Sequence, residues 1–198
     1  MTKRIAFFDF DGTITSSDSL KEFIIFFYGK MHFYTTLVKM APYLIAFKLG
    51  FADRQKSKEK LLAAFFSGVP KNLFDEQAAK FADTKIPELI RKDAKIILEK
   101  YLKEGVTIVI VSASPSAWIM PWSEKNGYHH ISTELDQTNN IISGRISGKN
   151  CYGEEKVRRI KEKYNLEEYN EIYAFGDSRG DLPMLSIAHK KFYKPFRD

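Results

Sequence analysis

Three short apolar runs, each cut off by a cluster of small and acidic residues, constrain the fold of this chain more than any other feature. Ile5–Phe8 is ended by Asp9-Phe10-Asp11-Gly12-Thr13, Val106–Val111 by Ser112-Ala113-Ser114-Pro115, and Ile172–Phe175 by Gly176-Asp177-Ser178-Arg179-Gly180-Asp181. Runs this brief and continuous, rich in β-branched and aromatic residues, fit strands covered on both faces. Helical patterns lie between them: one over 19–83 punctuated by Gly50 and Gly68-Val69-Pro70, and one that starts near Pro87 and stops at Gly105. Further helices are expected after Pro115, over 154–164 and over 182–188. A strand is expected at 130–135, with Thr138-Asn139-Asn140 as the turn of a hairpin returning through 141–146, and a last strand at 191–193. The alternation predicts an α/β fold with a parallel sheet sandwiched by helices. In such sheets, sites gather at the carboxyl ends of the strands, where the three polar clusters fall.

The segment between the first two runs has a different character. From Leu20 to Lys60 it holds eight Lys and Arg against three acids, which accounts for +5 of the chain's formal +6. Nine of the 28 aromatics fall within Leu20–Phe51. This predicts an inserted helical cap over residues 16–85, with the core formed by 1–15 and 86–198. Lys30, Lys39, Pro42 and Lys48 interrupt the apolar residues before a membrane span can accumulate. Helical spacing predicts two amphipathic helices, broken near Gly29 and Gly50, whose aromatics form the insert's own core. The sharper alternative is that some aromatics line a substrate entrance or touch a membrane surface.

The residue types dictate what the strand ends can do. The predicted topology gathers four carboxylates (Asp9, Asp11, Asp177, Asp181), a hydroxyl (Ser112) and a lysine (Lys156, heading the 154–164 helix) at one edge of the sheet. Several carboxylates in one cavity cannot all remain ionised without a cation. Hard oxygen donors of this kind suit Mg²⁺, which also takes substrate phosphate as a ligand. A carboxylate can attack phosphorus, and a second one two residues along can protonate the leaving oxygen and then activate water. Gly12 leaves backbone N–H groups free to cradle phosphate. Each motif alone has an ordinary explanation: a turn, a helix cap, a solvated lysine. A calcium loop is excluded, because position twelve counted from Asp9 is Leu20 rather than a bidentate Glu.

Taken together, Asp9-Phe-Asp11-Gly-Thr13, Ser112, Lys156 and Gly176-Asp177-Ser-Arg-Gly-Asp181 resemble the haloacid dehalogenase superfamily of phosphohydrolases, over nearly the whole chain. The nearest likeness is the phosphoserine-phosphatase-like subgroup, including its phosphatidylglycerophosphatase-like branch, whose caps are long, apolar and basic. The resemblance implies a Rossmann-like core with a small α-helical cap, Asp9 as nucleophile, and Asp11 as general acid and base. Thr13 belongs to the same catalytic motif. Ser112 and Lys156 would hold the phosphoryl group, with Gly12 and Ala113 in the phosphate cradle. Asp9, the Asp11 carbonyl and Asp177 would ligate Mg²⁺, supported by Asp181. The chain departs from phosphoserine phosphatases at Ala113 and Ser114, where those enzymes carry two glycines. Asp18 stands where they carry the Glu that reads the substrate amino group, and Arg54 is the sole arginine available in the cap to match theirs.

The expected function is therefore a Mg²⁺-dependent phosphomonoester hydrolase acting on a small or amphiphilic phosphate, including a lipid phosphate. Phosphoserine phosphatase and phosphotransferase activities of the same family are the alternatives. A basic nucleic-acid-binding module is the alternative from another class. With one arginine in the insert and no recognised motif, no nucleic acid is expected as a partner. A single cysteine, Cys151, excludes a disulfide framework and a cysteine-built zinc site. A cytoplasmic location is expected, with peripheral contact to the inner face of a membrane as its extension. The sequence carries no signal for oligomeric state.

Overall fold

Arg4–Phe8 forms the central strand, β1, because its alternate side chains serve two different cores. The chain then runs through a wide turn at 10–14 into helices α1 (Ser19–Lys48), α2 (Arg54–Phe66), α3 (Lys71–Thr84), α4 (Ile86–Leu89) and α5 (Lys92–Lys103). Next come β2 (Thr107–Pro115), α6 (Ser116–Lys125), β3 (His129–Thr133), and the hairpin strands β4 (Leu135–Thr138) and β5 (Ile141–Ile146). Helix α7 (Glu154–Lys163), β6 (Glu171–Gly176), α8 (Leu182–Ser186) and β7 (Lys190–Tyr193) complete the order. This computed structural model describes residues 3–48 and 53–197, with no side-chain description for 44 and 46–48. The expected break at Gly50 lies outside the described residues.

The main sheet has the order β3-β2-β1-β6-β7 with every pairing parallel, as the α/β reading requires. The two-residue side-chain period splits its strands between two apolar layers. Ala6, Phe8, Ile108, Ile110, Tyr173 and Phe175 pack with Leu98 of α5 and Trp118 of α6. Ile5, Phe7, Val109, Val111, Ile172 and Ala174 pack with Ile160 of α7 and Met184 of α8 on the other face. That double coverage is the reason the strands read as continuous apolar runs.

Four local differences from the sequence reading have physical causes. The helix expected from Pro87 to Glu104 is two helices, because Ile90 is extended and bridges Thr15, and Arg91 N donates to the Ile14 carbonyl at 2.8 Å. Tertiary pairing overrides helix propensity there. The expected strand at 130–135 is also split: β3 ends at Thr133, and the hairpin's first arm is β4, in a sheet of its own with β5. Its turn carries Asn139 and Asn140 at φ 52° and 59°, both left-handed, as a two-residue hairpin turn demands. Third, β2 runs on through Ser112 and Ser114, while its register with β3 shifts between Val111 and Pro115. Finally, the Gly29 break is a kink at φ 82° inside one assigned helix.

Within the insert, most aromatics are core. Phe23 meets Phe66, Phe74, Phe81 and Trp118 with ring centroids 4.5–5.6 Å apart. The hairpin packs on this group so closely that a Cβ at Gly144 would lie 2.3 Å from the Ala63 Cα. Met31, Tyr34, Val38 and Ile45, however, stand 56–80% exposed along one side of α1. Among the described residues, no helix is long and apolar enough to cross a membrane.

Candidate active site

The first apolar strand delivers Asp9 to the sheet edge, and the neighbouring strand holds it there through Asp9 N to the Phe175 carbonyl at 2.9 Å. Lys156, in the first turn of α7, is fully buried and reaches across to three acceptors. Its Nζ donates to Asp9 Oδ1 at 2.6 Å, Asp181 Oδ1 at 2.7 Å and the Val111 carbonyl at 2.8 Å. The Thr13 hydroxyl donates to Asp9 Oδ2 at 3.0 Å. A buried ammonium is tolerated only when paired and fully bonded, and this one is. Burial alone would lower the Lys156 pKa, but Asp9 and Asp181 hold it above the usual lysine range.

The carboxylates respond to the same cavity. Burial pushes Asp9 up to about 7, with Lys156 opposing and Asp181 and Asp11 adding to the rise. Asp181 resists burial because Lys156 and Ser178 stabilise its charged form, and it stays below the ordinary carboxylate range. Its Oδ2 accepts from the backbone N of Asp177 and Ser178 and from the Ser178 hydroxyl, so it braces the turn after β6. Asp177 is raised by burial and is paired with Arg197. Gly12, at φ +80°, lets Asp177 approach: a Cβ there would lie 2.6 Å from Asp177 Oδ2.

Asp9, Asp177 and Asp181 each place a carboxylate oxygen within 4.8 Å of the others. All are hard oxygen donors, and acids outnumber the buried lysine. The donor set therefore fits a divalent cation such as Mg²⁺. Both oxygens of Asp181 and both of Asp9 already accept hydrogen bonds, and one oxygen of Asp177 is paired with Arg197, so an ion would share these three carboxylates with Lys156, Thr13 and the turn after β6.

Asp11 faces the opposite way, toward the insert. Its Oδ1 accepts from Ser19 N at 2.6 Å and its Oδ2 from Ser114 Oγ at 2.5 Å. The chain continues: Ser19 Oγ donates to Ser114 Oγ, and Trp118 Nε1 donates to Ser19 Oγ, each at 3.1 Å. Burial, aided by Asp18, pushes Asp11 up to about 6 against the pull of these donors. A carboxyl poised there can exchange a proton near neutral pH.

The remaining expected residues divide. Ser112 is fully buried and does not line the cavity, its Oγ accepting from Ser114 N at 2.9 Å. Ala113 lines the cavity wall. Asp18 lines the rim but is engaged as the N-cap of α1, accepting from Lys21 N at 2.9 Å. Arg54 also lines the rim, 4.4 Å from the Tyr152 ring centroid. The cavity, about 450 Å³, thus brings Asp9, Asp11, Lys156, Asp177 and Asp181 together against α2. The sequence reading missed Ser114, Asn150, Tyr152 and above all Lys58, whose Nζ donates to the Ala113 carbonyl and to Asn150 Oδ1. The four-residue spacing of Arg54 and Lys58 was the available signal.

Comparison with known proteins agrees with this geometry. The family model described as haloacid dehalogenase-like hydrolase matches residues 6–186. The chain is 34% identical over 194 residues to Protein CicA of Caulobacter vibrioides, spanning 96% of this chain and 85% of that protein. A crystal structure of a protein with unknown function from Bordetella pertussis Tohama I superposes with TM-score 0.79 at 23% identity, covering 95% of this chain and 88% of that one. A phospho-aspartyl intermediate analogue of phosphoserine phosphatase superposes with TM-score 0.63 at 19% identity, covering 96% and 86%. At those identities the two superpositions speak for a shared fold.

Proposed function

The chain belongs to the haloacid dehalogenase-like hydrolases, and on that premise we propose that it is a phosphatase that hydrolyses a phosphomonoester through an aspartyl-phosphate, with Mg²⁺. The observation that carries this reading is the convergence of Asp9, Asp11, Lys156 and Asp177 on one cavity. We take residues 16–85 as the cap and the remainder as the catalytic core.

In the proposed reaction an Asp9 carboxylate oxygen attacks phosphorus, forming the acyl phosphate as the ester P–O bond breaks. Asp11 gives its proton to the departing alcohol oxygen. Water then attacks the same phosphorus, Asp11 takes its proton back, and phosphate leaves with Asp9 restored. Lys156 and Ser112 hold the phosphoryl oxygens, and the Thr13 hydroxyl orients Asp9. A bound Mg²⁺, held by Asp9 and Asp177, would offset charge on the transferring group. The resemblance to an enzyme crystallised as a phospho-aspartyl analogue supports the intermediate.

The substrate we propose is amphiphilic, met at an anionic membrane surface. The exposed stripe Met31, Tyr34, Val38 and Ile45, in an insert rich in lysine, favours this over phosphoserine. Asp18, the candidate for reading an amino group, is engaged in capping α1.

The direct test is Asp9→Asn assayed on an aryl phosphate with Mg²⁺. Turnover should fall by about a thousandfold or more, as when a nucleophile is removed. Full activity in the variant would end the mechanism.

A further inference from the structure

Asp11 is held by a chain of hydrogen bonds whose direction is fixed from its far end. An indole N–H has no acceptor capacity, so Trp118 Nε1 can only donate, and it does so to Ser19 Oγ at 3.1 Å. The single proton of the Ser19 hydroxyl goes on to Ser114 Oγ at 3.1 Å, and that of Ser114 to Asp11 Oδ2 at 2.5 Å. Trp118, Ser19 and Ser114 are all buried, and among the described residues Asp11 is the one acceptor of the Ser114 hydroxyl. An isolated serine and carboxyl group can exchange donor and acceptor roles. Here the order runs one way, from indole to carboxylate.

Ser114 reaches that position from an irregular stretch of β2. Val111 pairs with Ile131 and Pro115 with Thr133, so four steps along β2 match two along β3. Extra residues in one strand re-aim side chains beside a site. Ser112 Oγ accepts from Ser114 N at 2.9 Å, a local side-chain bond that holds the irregular stretch in shape. The other grip on Asp11 comes from the insert, where Ser19 N, at the start of α1, donates to Oδ1 at 2.6 Å. Core and insert thus each hold one carboxyl oxygen, and the carboxyl faces away from Asp9. In an in-line displacement the attacking and leaving oxygens lie on opposite sides of phosphorus. With Asp9 attacking, the insert side is where the leaving oxygen departs.

We propose that Ser114 is a positioning residue for Asp11, kept as a one-way donor by Ser19 and Trp118, and that this order reserves the Asp11 proton for the leaving oxygen. The inference rests on the phosphatase reading. As the bond from Asp9 to phosphorus forms and the ester P–O bond breaks, the proton on Asp11 passes to the departing oxygen. Asp11 is left as a carboxylate, the form that its two donors fit. Ser114 does not compete for that proton, because its own proton has no second acceptor to turn to. Without the Ser114 hydroxyl the carboxyl is gripped at one oxygen only, and a reacting group misplaced by about 1 Å can cost about a hundredfold in rate.

Leaving groups that differ in their need for a proton separate positioning from bracing. With Mg²⁺ present, kcat/KM would be compared for 4-nitrophenyl phosphate, whose phenolate departs unprotonated, and 4-nitrobenzyl phosphate, one methylene longer, whose alkoxide requires a proton. For both esters kcat/KM covers only the steps through acyl-phosphate formation, so the later attack by water does not enter. Ser114→Ala should lower the value for the benzyl ester about tenfold more than that for the phenyl ester, a share of the roughly hundredfold or larger contribution of a placed acid. Ser19→Ala keeps the backbone donor on Asp11 Oδ1 and should move the ratio in the same direction by about threefold. If the chain only braced α1 against β2, each variant would lower the two values alike. Equal losses on the two esters, or no loss, in either variant would overturn the role. Ser19→Ala decides the matter where Ser114→Ala does not fold. A wild type that hydrolyses neither ester removes the phosphatase reading and the role with it, an outcome distinct from equal losses in an active enzyme.

Discussion

Glu155 shows how a buried carboxylate outside the cavity anchors the helix that carries Lys156. It sits next to Lys156 in the first turn of α7, is buried, and accepts from Arg158 Nε at 2.8 Å and Arg159 Nε at 2.8 Å. Arg159 also donates to the Ser132 carbonyl at 2.6 Å, so the pair ties the start of α7 to β3. The bonds from Arg158, followed by those from Arg159, hold the Glu155 carboxyl down at about 2, against an ordinary value of 4.5. A depressed carboxylate stabilises the fold fully above its unfolded pKa, and that contribution disappears as pH falls through the folded one. Glu155→Gln should therefore cost about 2 kcal/mol at pH 7, typical of hydrogen bonds to a charged group. Denaturant unfolding should show the gap between variant and wild type narrowing from about pH 4.5 and closing near pH 2. A gap that is constant over that range would show that packing, not charge, is what Glu155 supplies. At this scale the sequence was legible where a residue follows a strand, as Asp9, Asp177 and Asp181 do, while Ser112 proved to lie inside β2. It was illegible where a contact joins distant segments: Trp118 to Ser19 spans 99 positions, and Lys58 to Asn150 spans 92.

The elements follow the same division. The three inner strands β1, β2 and β6 were readable because burial on both faces writes itself into unbroken apolar runs, a signal that the edge strands β3 and β7 lack. The break between α4 and α5 was hidden, since nothing local to Ile90 competes with a helix until Thr15 pairs with it. Helix α1 carries both kinds of information: its buried aromatics form the expected core, while Met31, Tyr34, Val38 and Ile45 emerge on the solvent side. These four lie at helical intervals of three, four and seven residues, between Lys30 on one flank and Lys39 on the other. An apolar stripe edged by lysines suits the boundary of an anionic bilayer, each lysine adding about 1 kcal/mol near such a surface. Co-sedimentation with vesicles containing phosphatidylglycerol should be clear for the wild type and weak with phosphatidylcholine alone. Val38→Glu, at a position 73% exposed and so without a folding role, should reduce it by about tenfold, the worth of one buried apolar side chain. Equal sedimentation of the variant would mean that the stripe does not meet the bilayer.

At the scale of the whole molecule, charge is unevenly placed in a way that links stability to metal. Of the excess of +6, +5 falls within Leu20–Lys60, and at the sheet edge the sign reverses. Asp9, Asp177 and Asp181 crowd within 4.8 Å, against one buried lysine and Arg197 from the end of the chain. The strands that end at these acids, β1 and β6, are neighbours within the sheet on which both apolar layers rest. A divalent cation that binds only the folded chain stabilises it by mass action, by about 2.7 kcal/mol at a hundredfold excess over Kd. For a chain of this size that corresponds to a rise in Tm of about 5–10 °C. Thermal unfolding followed across a Mg²⁺ titration should show that rise, with Na⁺ at matched ionic strength producing none. Asp177→Asn removes a donor and one of the repelling charges together. It should leave Tm without Mg²⁺ unchanged or higher, and it should abolish the Mg²⁺-dependent rise. A full rise in the variant would mean the cation binds elsewhere, and a lower Tm without Mg²⁺ would mean that the Asp177–Arg197 pair, not relief of repulsion, dominates this edge of the sheet.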